Sequence, residues 1–99
     1  MTRPAAPAFE LVTTEPGTLG VSGVLNFDTA AAAMQAISTA LAAGSFDRLD
    51  LGEVRHSDSA GLACVLAAVA LPGKTLRVVR MPPGMQALAK VCEVDSLIA

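Results

Sequence analysis

Four consecutive polar residues near the middle of the chain, His56-Ser57-Asp58-Ser59, include every side-chain type of a hydrolytic triad. A triad needs a serine activated by a histidine that a carboxylate orients, with the three side chains converging on one point. Neighbours in sequence on a loop and a first helical turn point in different directions instead. We therefore predict that these residues are not catalytic and that the protein is not an enzyme.

The sequence also lacks the patterns that hold metals and phosphates. It has one histidine, no closely paired cysteines, no glycine-rich phosphate loop and no nucleophile elbow. We expect no metal and no cofactor. His56 is expected to be a solvated loop side chain, with a contact to a partner protein as the alternative.

The same polar residues are suited to begin a helix. Residues 48–51 alternate as in a buried strand, and the polar loop 52–58 leads into a helix that we predict from about residue 59 to residue 70. Ser59 either caps this helix or donates to a partner from its exposed start, and both roles remain open. Three residues compete for the capping position, namely Ser57, Asp58 and Ser59.

Size and composition indicate one small domain. The chain has 99 residues, a net charge of −2 and neither Trp nor Tyr, so a nucleic-acid partner is not expected.

Residues 1–7 contain two prolines and no apolar run. They predict a disordered lead-in before a single domain at 8–99, without a signal peptide. The apolar run at 60–71 is too short to span a bilayer. We expect a cytoplasmic protein without direct membrane insertion.

Two cysteines, Cys64 and Cys92, are too few for a disulfide framework or a zinc cluster. Both fall in segments with helical periodicity, where a free cysteine behaves as a small apolar residue. We predict that both are reduced and pack inside the protein.

Turn signals and periodicity predict four strands and three helices. The strands are placed at 9–14, 19–23, 48–51 and 76–79, with a type II turn at 15–18 and extended chain at 24–27. The first helix is capped by Asp28 or Thr29 and stops at Gly44, and Pro82-Pro83-Gly84 opens the last one. The order β-β-α-β-α-β-α predicts an α/β fold, a mixed four-strand sheet with three helices mainly on one face.

The helix after the polar loop is apolar on two sides. Its core face is predicted to contain Leu62, Val65, Leu66 and Val69. Its opposite side carries Ala60, Cys64, Ala67 and Leu71, and no charge occurs between Asp58 and Lys74. Because a one-layer sheet covers only one side, the second side favours docking against another protein. The alternative is a harmless alanine-rich surface.

With these elements in place, the chain resembles the STAS domain family over nearly its whole length. The resemblance rests on Val21-Ser22-Gly23, on residues 49–54, on Leu97-Ile98 and above all on the signature Asp58-Ser59-Ala60-Gly61-Leu62-Ala63. In anti-anti-sigma members the signature resembles Asp-Ser-Ser-Gly-Leu, and a partner kinase phosphorylates the second serine, which disrupts binding. Ala60 stands at that position here and carries no hydroxyl.

The MlaB-like branch of the family is more similar, since its signature resembles Asp-Thr/Ser-Ala-Gly-Leu-Ala and its closing segment resembles residues 85–92. This resemblance implies binding to the MlaF-like cytoplasmic ATPase of a phospholipid-transporting ABC complex, peripheral to the inner membrane. The alternative partner is an anti-sigma kinase. The residues expected to contact the partner are His56, Ser57, Asp58, Ser59, Ala60, Gly61, Ala63, Cys64, Ala67 and Leu71.

Overall fold

The computed structural model describes residues 8–73 and 75–98, except for the side chain of Thr14. Its strands are β1 (Phe9–Glu15), β2 (Thr18–Leu25), β3 (Arg48–Ser57) and β4 (Arg77–Val79), and its helices are α1 (Ala30–Ala43), α2 (Ser59–Val69) and α3 (Pro83–Val91). A short 3-10 turn, Asp95–Leu97, follows α3. The predicted order of strands and helices is confirmed. The predicted lead-in at 1–7 lies outside the described residues.

The four strands form one mixed sheet in the order β1-β2-β3-β4. β1 and β2 are an antiparallel hairpin, whereas β2, β3 and β4 run parallel, with α1 and α2 as the two crossover helices. The hairpin turns at Glu15-Pro16-Gly17-Thr18. Gly17 has φ +80°, as the third position of a type II turn requires, so the predicted turn is confirmed.

The core lies between the sheet and a single layer of helices. Leu19, Val21 and Leu25 alternate along β2 and belong to the same buried cluster as Ile37 of α1 and Val65 of α2. α2 packs beside both α1 and α3. The prediction of helices mainly on one face is therefore confirmed.

The polar segment before α2 is a strand and not the predicted loop. β3 has ten residues against eight in β2, because the pairing register shifts twice and each shift gives β3 one extra residue. One extra residue lies between Asp50 and Glu53, and the other lies between Val54 and His56. These bulges break the regular alternation by which a strand is identified in a sequence. They explain why 52–57 looked like a loop.

A charged pair joins Arg80, directly after β4, to Asp50 near the start of β3. Arg80 Nη2 lies 2.7 Å from Asp50 Oδ2, and Arg80 Nε donates to Asp50 Oδ1 at 2.9 Å. The backbone N–H of Gly52 donates to the same carboxylate, at the first bulge of β3. The hydrogen bonds from Arg80 outweigh partial desolvation and hold the pKa of Asp50 below its ordinary value. This cluster fixes the irregular part of β3 in place.

Three predicted details of the helices are wrong. The inward side of α2 includes Cys64 and Ala68, while Leu66 and Val69 are only half-buried, so the helix is rotated relative to the predicted core face. Cys92 is exposed at the end of α3 and is not a packing residue. α1 begins after Thr29 as predicted, but the Thr29 hydroxyl does not cap a helical N–H.

Candidate functional site

The parallel strands β2 and β3 end side by side, with Leu25 paired to Ser57, and α2 begins immediately after them. Asp58 is the N-cap residue of α2. Its Oδ1 accepts from the backbone N–H groups of Ala60 at 2.9 Å and Gly61 at 3.1 Å. Ser59 is the first helical residue and its side chain is exposed, so of the two roles left open for it the capping role is wrong.

The second carboxylate oxygen of Asp58 holds the turn between β2 and α1. Asp58 Oδ2 accepts from the backbone N–H of Phe27 at 3.1 Å. Partial desolvation opposes ionisation of Asp58, but the N–H groups of Gly61, Phe27 and Ala60 outweigh it and lower its pKa. One ionised side chain therefore joins two separate segments of the chain at this end of the sheet.

The β2–α1 turn is also closed by its own side chains. Asn26 Oδ1 accepts from the backbone N–H groups of Asp28 and Thr29, at 2.9 and 3.2 Å. The Thr29 hydroxyl accepts from the Asn26 N–H and donates to the carbonyl of Val24, both at 2.9 Å. Such side-chain to backbone bonds hold a turn without regular secondary structure.

Phe27, at the tip of this turn, is 83% exposed. The sequence predicted extended chain at Phe27 and no contact with a partner. One feature of the sequence could have identified Phe27 as an exposed turn residue. It stands between Asn26 and Asp28, two residues that favour turns, directly before a helix.

Gly61 lets α2 approach the end of β2 closely. A Cβ atom on Gly61 would collide with the backbone carbonyl of Leu25, and the residue is buried. The absence of a side chain at Gly61 allows this packing, and its contact with a partner stays a prediction.

The structure brings together only part of the predicted contact set. Ser59, Ala63 and Ala67 are exposed along one side of α2, and we call these three residues the signature surface. Ala60 and Leu71 are half-buried. Cys64 is only 4% exposed because it faces the core, so the prediction that it lies on the outward side of α2 is wrong. Burial raises the pKa of its thiol.

His56 lies in β3, paired with Val24, and not in a loop as predicted. Its side chain is exposed, and Ser57 beside it is half-buried. Among the hydrogen bonds of the described residues, those of the Asp58 carboxylate come from backbone N–H groups, and none joins it to His56. The four polar residues at 56–59 therefore do not form the hydrogen-bonded relay of a hydrolytic triad.

The signature surface is smooth and uncharged. Neither α1 nor α2 contains a charged residue, and the two helices pack side by side. Across residues 8–73 and 75–98, no group of three or more His, Cys, Asp or Glu side chains is arranged to hold a metal ion. None of the helices in the same ranges has the length and apolar content needed to cross a bilayer.

Comparison with known proteins agrees with this architecture. The sequence model of the family described as "Mlab, STAS domain" matches residues 12–99. No curated protein matches at the level of sequence. An anti-sigma factor antagonist from Mycobacterium paratuberculosis is similar in structure, with 26% identity and a TM-score of 0.72 over 94% of this chain and 86% of that chain.

Two structures of the Bacillus protein SpoIIAA have the same fold at 20% identity. The unphosphorylated anti-sigma factor antagonist has a TM-score of 0.59, covering 84% of this chain and 82% of its own. The phosphorylated form has a TM-score of 0.63, covering 93% of this chain and 89% of its own. The family match and the antagonists among the structural neighbours support a protein-interaction role. Because the family match covers almost all of the described residues, the chain belongs to the STAS domain family, in its MlaB-type group.

Proposed function

We propose that this chain is a non-enzymatic subunit that binds and stabilises the cytoplasmic ATPase of a phospholipid-transporting ABC complex. It would act in the cytoplasm, peripheral to the inner membrane through that complex. The contact would be made by the signature surface and by the neighbouring ends of β3 and α2, including His56 and Asp58. The whole described domain would serve as a rigid support for this surface.

The observation that carries the proposal is the uncharged exposed side of α2. Exposed helix surfaces of monomeric proteins usually carry charged side chains, whereas Ser59, Ala63 and Ala67 present only small groups. Small side chains allow a second helix to approach closely and to pack ridges into grooves. No charge on α2 has to be desolvated when a partner covers it.

The signature favours the ATPase over a kinase as the partner. Ala60 cannot accept phosphate, so the charge switch of the anti-anti-sigma members is absent at that position. A subunit without this switch is suited to constitutive association. The match to the MlaB-type family model supports the same choice.

Such a subunit would act by mass action and would perform no chemistry. If it binds the assembled or correctly folded ATPase more tightly than the loose form, binding shifts the population toward assembly. Nucleotide binding and hydrolysis would belong entirely to the ATPase.

The test is binding of the purified chain to the phospholipid-transport ATPase subunit of the same organism. Ser59→Asp is the variant and Ser96→Asp is the control. Asp at the first helical position suits the helix dipole, so folding is preserved. The new carboxylate must lose water at the interface without an assured counter-charge, and affinity is expected to fall at least about tenfold. Ser96 is also exposed but lies in the 3-10 turn near the end of the chain. Unchanged affinity of Ser59→Asp would overturn the proposed surface.

An anti-sigma kinase is the second candidate partner. It is favoured by the structural similarity to the anti-sigma factor antagonist from Mycobacterium paratuberculosis. The same binding measurement with an anti-sigma kinase of the same organism separates the two. Binding to the kinase and none to an ATPase would replace the first proposal by the second.

A further inference from the structure

We propose that Phe27 is the anchor residue of the partner interface. We further infer that the partner presents an apolar pocket for its ring beside a lysine or arginine that pairs with Asp28. This inference rests on the proposed function for the location of the interface, but Phe27 belongs to none of the residues predicted from the signature.

The exposure of Phe27 distinguishes it from the other aromatic residues. The chain has three phenylalanines and no other aromatic residue with a large ring. Phe9 and Phe46 pack against the core, whereas Phe27 is 83% exposed. Exposing a phenyl ring to water is unfavourable, and aromatic side chains are frequent anchors at the centre of protein interfaces.

The backbone that carries Phe27 is already fixed. Its N–H donates to Asp58, and the turn around it is closed by Asn26 and Thr29. Binding therefore costs little backbone entropy at this residue, which increases the affinity gained from burying the ring. An exposed aromatic side chain on a pre-organised turn is the arrangement that an anchor requires.

Phe27 is also continuous with the signature surface. Asp58 contacts both the Phe27 N–H and the first turn of α2, so the backbone of Phe27 lies beside the start of the helix whose exposed side begins at Ser59. One partner can therefore cover the turn and the helix together. The small residues of α2 provide the flat part of this interface, and Phe27 provides its projecting part.

The charge beside the ring defines the partner further. Asp28 is exposed, and neither ion pair found among the described residues includes it. A carboxylate covered by a partner needs a positive counterpart, since an unpaired buried charge strongly opposes association. A pocket with an adjacent cation satisfies both Phe27 and Asp28.

The experiment measures binding of the ATPase subunit to the full chain carrying Phe27→Ala, Phe27→Leu or Asp28→Asn. Val91→Ala is the matched control, because Val91 is 81% exposed at the end of α3. Phe27→Ala is expected to weaken binding at least about tenfold, and Phe27→Leu less. Asp28→Asn is expected to reduce the salt dependence of binding. Val91→Ala should leave affinity unchanged, and thermal midpoints should stay close to that of the wild type for all four variants.

The outcomes separate this inference from the proposed function. If Ser59→Asp weakens binding but Phe27→Ala behaves like Val91→Ala, the anchor role is wrong and the proposed surface stands. Loss of binding in Phe27→Ala with an unaltered Ser59→Asp supports the anchor and overturns the signature surface. Binding of the wild type to an anti-sigma kinase alone would overturn the ATPase as the partner of Phe27. Absence of binding to either protein would overturn both proposals.

Discussion

The carboxylate of Asp58 accepts a hydrogen bond from the backbone N–H of Phe27, which lies 31 residues earlier in the chain. The same carboxylate caps α2 through Ala60 and Gly61. The first residue of the signature therefore controls two features at once, namely the start of the helix and the backbone position of an exposed aromatic residue. Changes at Asp58 should affect both features, and suitable substitutions should separate them.

Asp58→Asn should keep the helix cap and lose the link to Phe27. The Asn side chain has one carbonyl oxygen, which can accept from Ala60 and Gly61, whereas its amide nitrogen cannot accept from the Phe27 N–H. Hydrogen exchange of the Phe27 amide is expected to become faster while the first turn of α2 stays protected. Asp58→Ala loses both functions and should lower the thermal midpoint further. Equal protection of the Phe27 amide in wild type and Asp58→Asn would contradict this link.

Gly61→Ala should destabilise the protein, because the added methyl group meets the carbonyl of Leu25 and forces α2 away from β2. A cost of about 1–3 kcal/mol in the free energy of unfolding is expected from overpacking. Gly84, in the first turn of α3, has open space around it. Gly84→Ala is the control and should stabilise by up to about 1 kcal/mol through helix propensity. Urea unfolding measures both, and equal effects of the two substitutions would reject the close approach.

Acid should destabilise the protein through Asp50 and Asp58. Both carboxyl groups have a pKa below the ordinary value of 3.8 in the folded protein, so the unfolded chain binds protons at a higher pH than the native state. Their contribution to stability is present above about pH 4 and is lost as the pH falls through the lowered pKa values. Urea unfolding across this range should show a shallower loss of stability in an Asp50→Asn, Asp58→Asn double variant. A slope identical to wild type would exclude these two groups as the cause.

The two thiols should react at different rates with a thiol reagent such as DTNB. Cys92 is exposed, while Cys64 is buried and its pKa is raised by that burial. Only the thiolate is reactive, so Cys64 should react only when the protein opens. In native buffer the wild type should show one rapid thiol and Cys92→Ser none, with the full thiol count restored in denaturant. Rapid reaction of Cys92→Ser would place Cys64 at the surface.

Local signals in the sequence determined the element order, the hairpin turn at Gly17, the span of α1 and the general position of the signature. Each of these depends on neighbouring residues, such as the Pro-Gly pair of the turn or the apolar spacing of a helix face. The prediction of one sheet with helices mainly on one face follows from that order.

Tertiary structure decided the details of the site. The length of β3 depends on bulges in its pairing with β2, and the rotation of α2 depends on Gly61 meeting Leu25. The position of the Phe27 backbone beside the start of α2 depends on a hydrogen bond to Asp58 across 31 residues. Sequence periodicity records which residues favour burial, but contacts between distant segments select the register and side-chain partners that position the site.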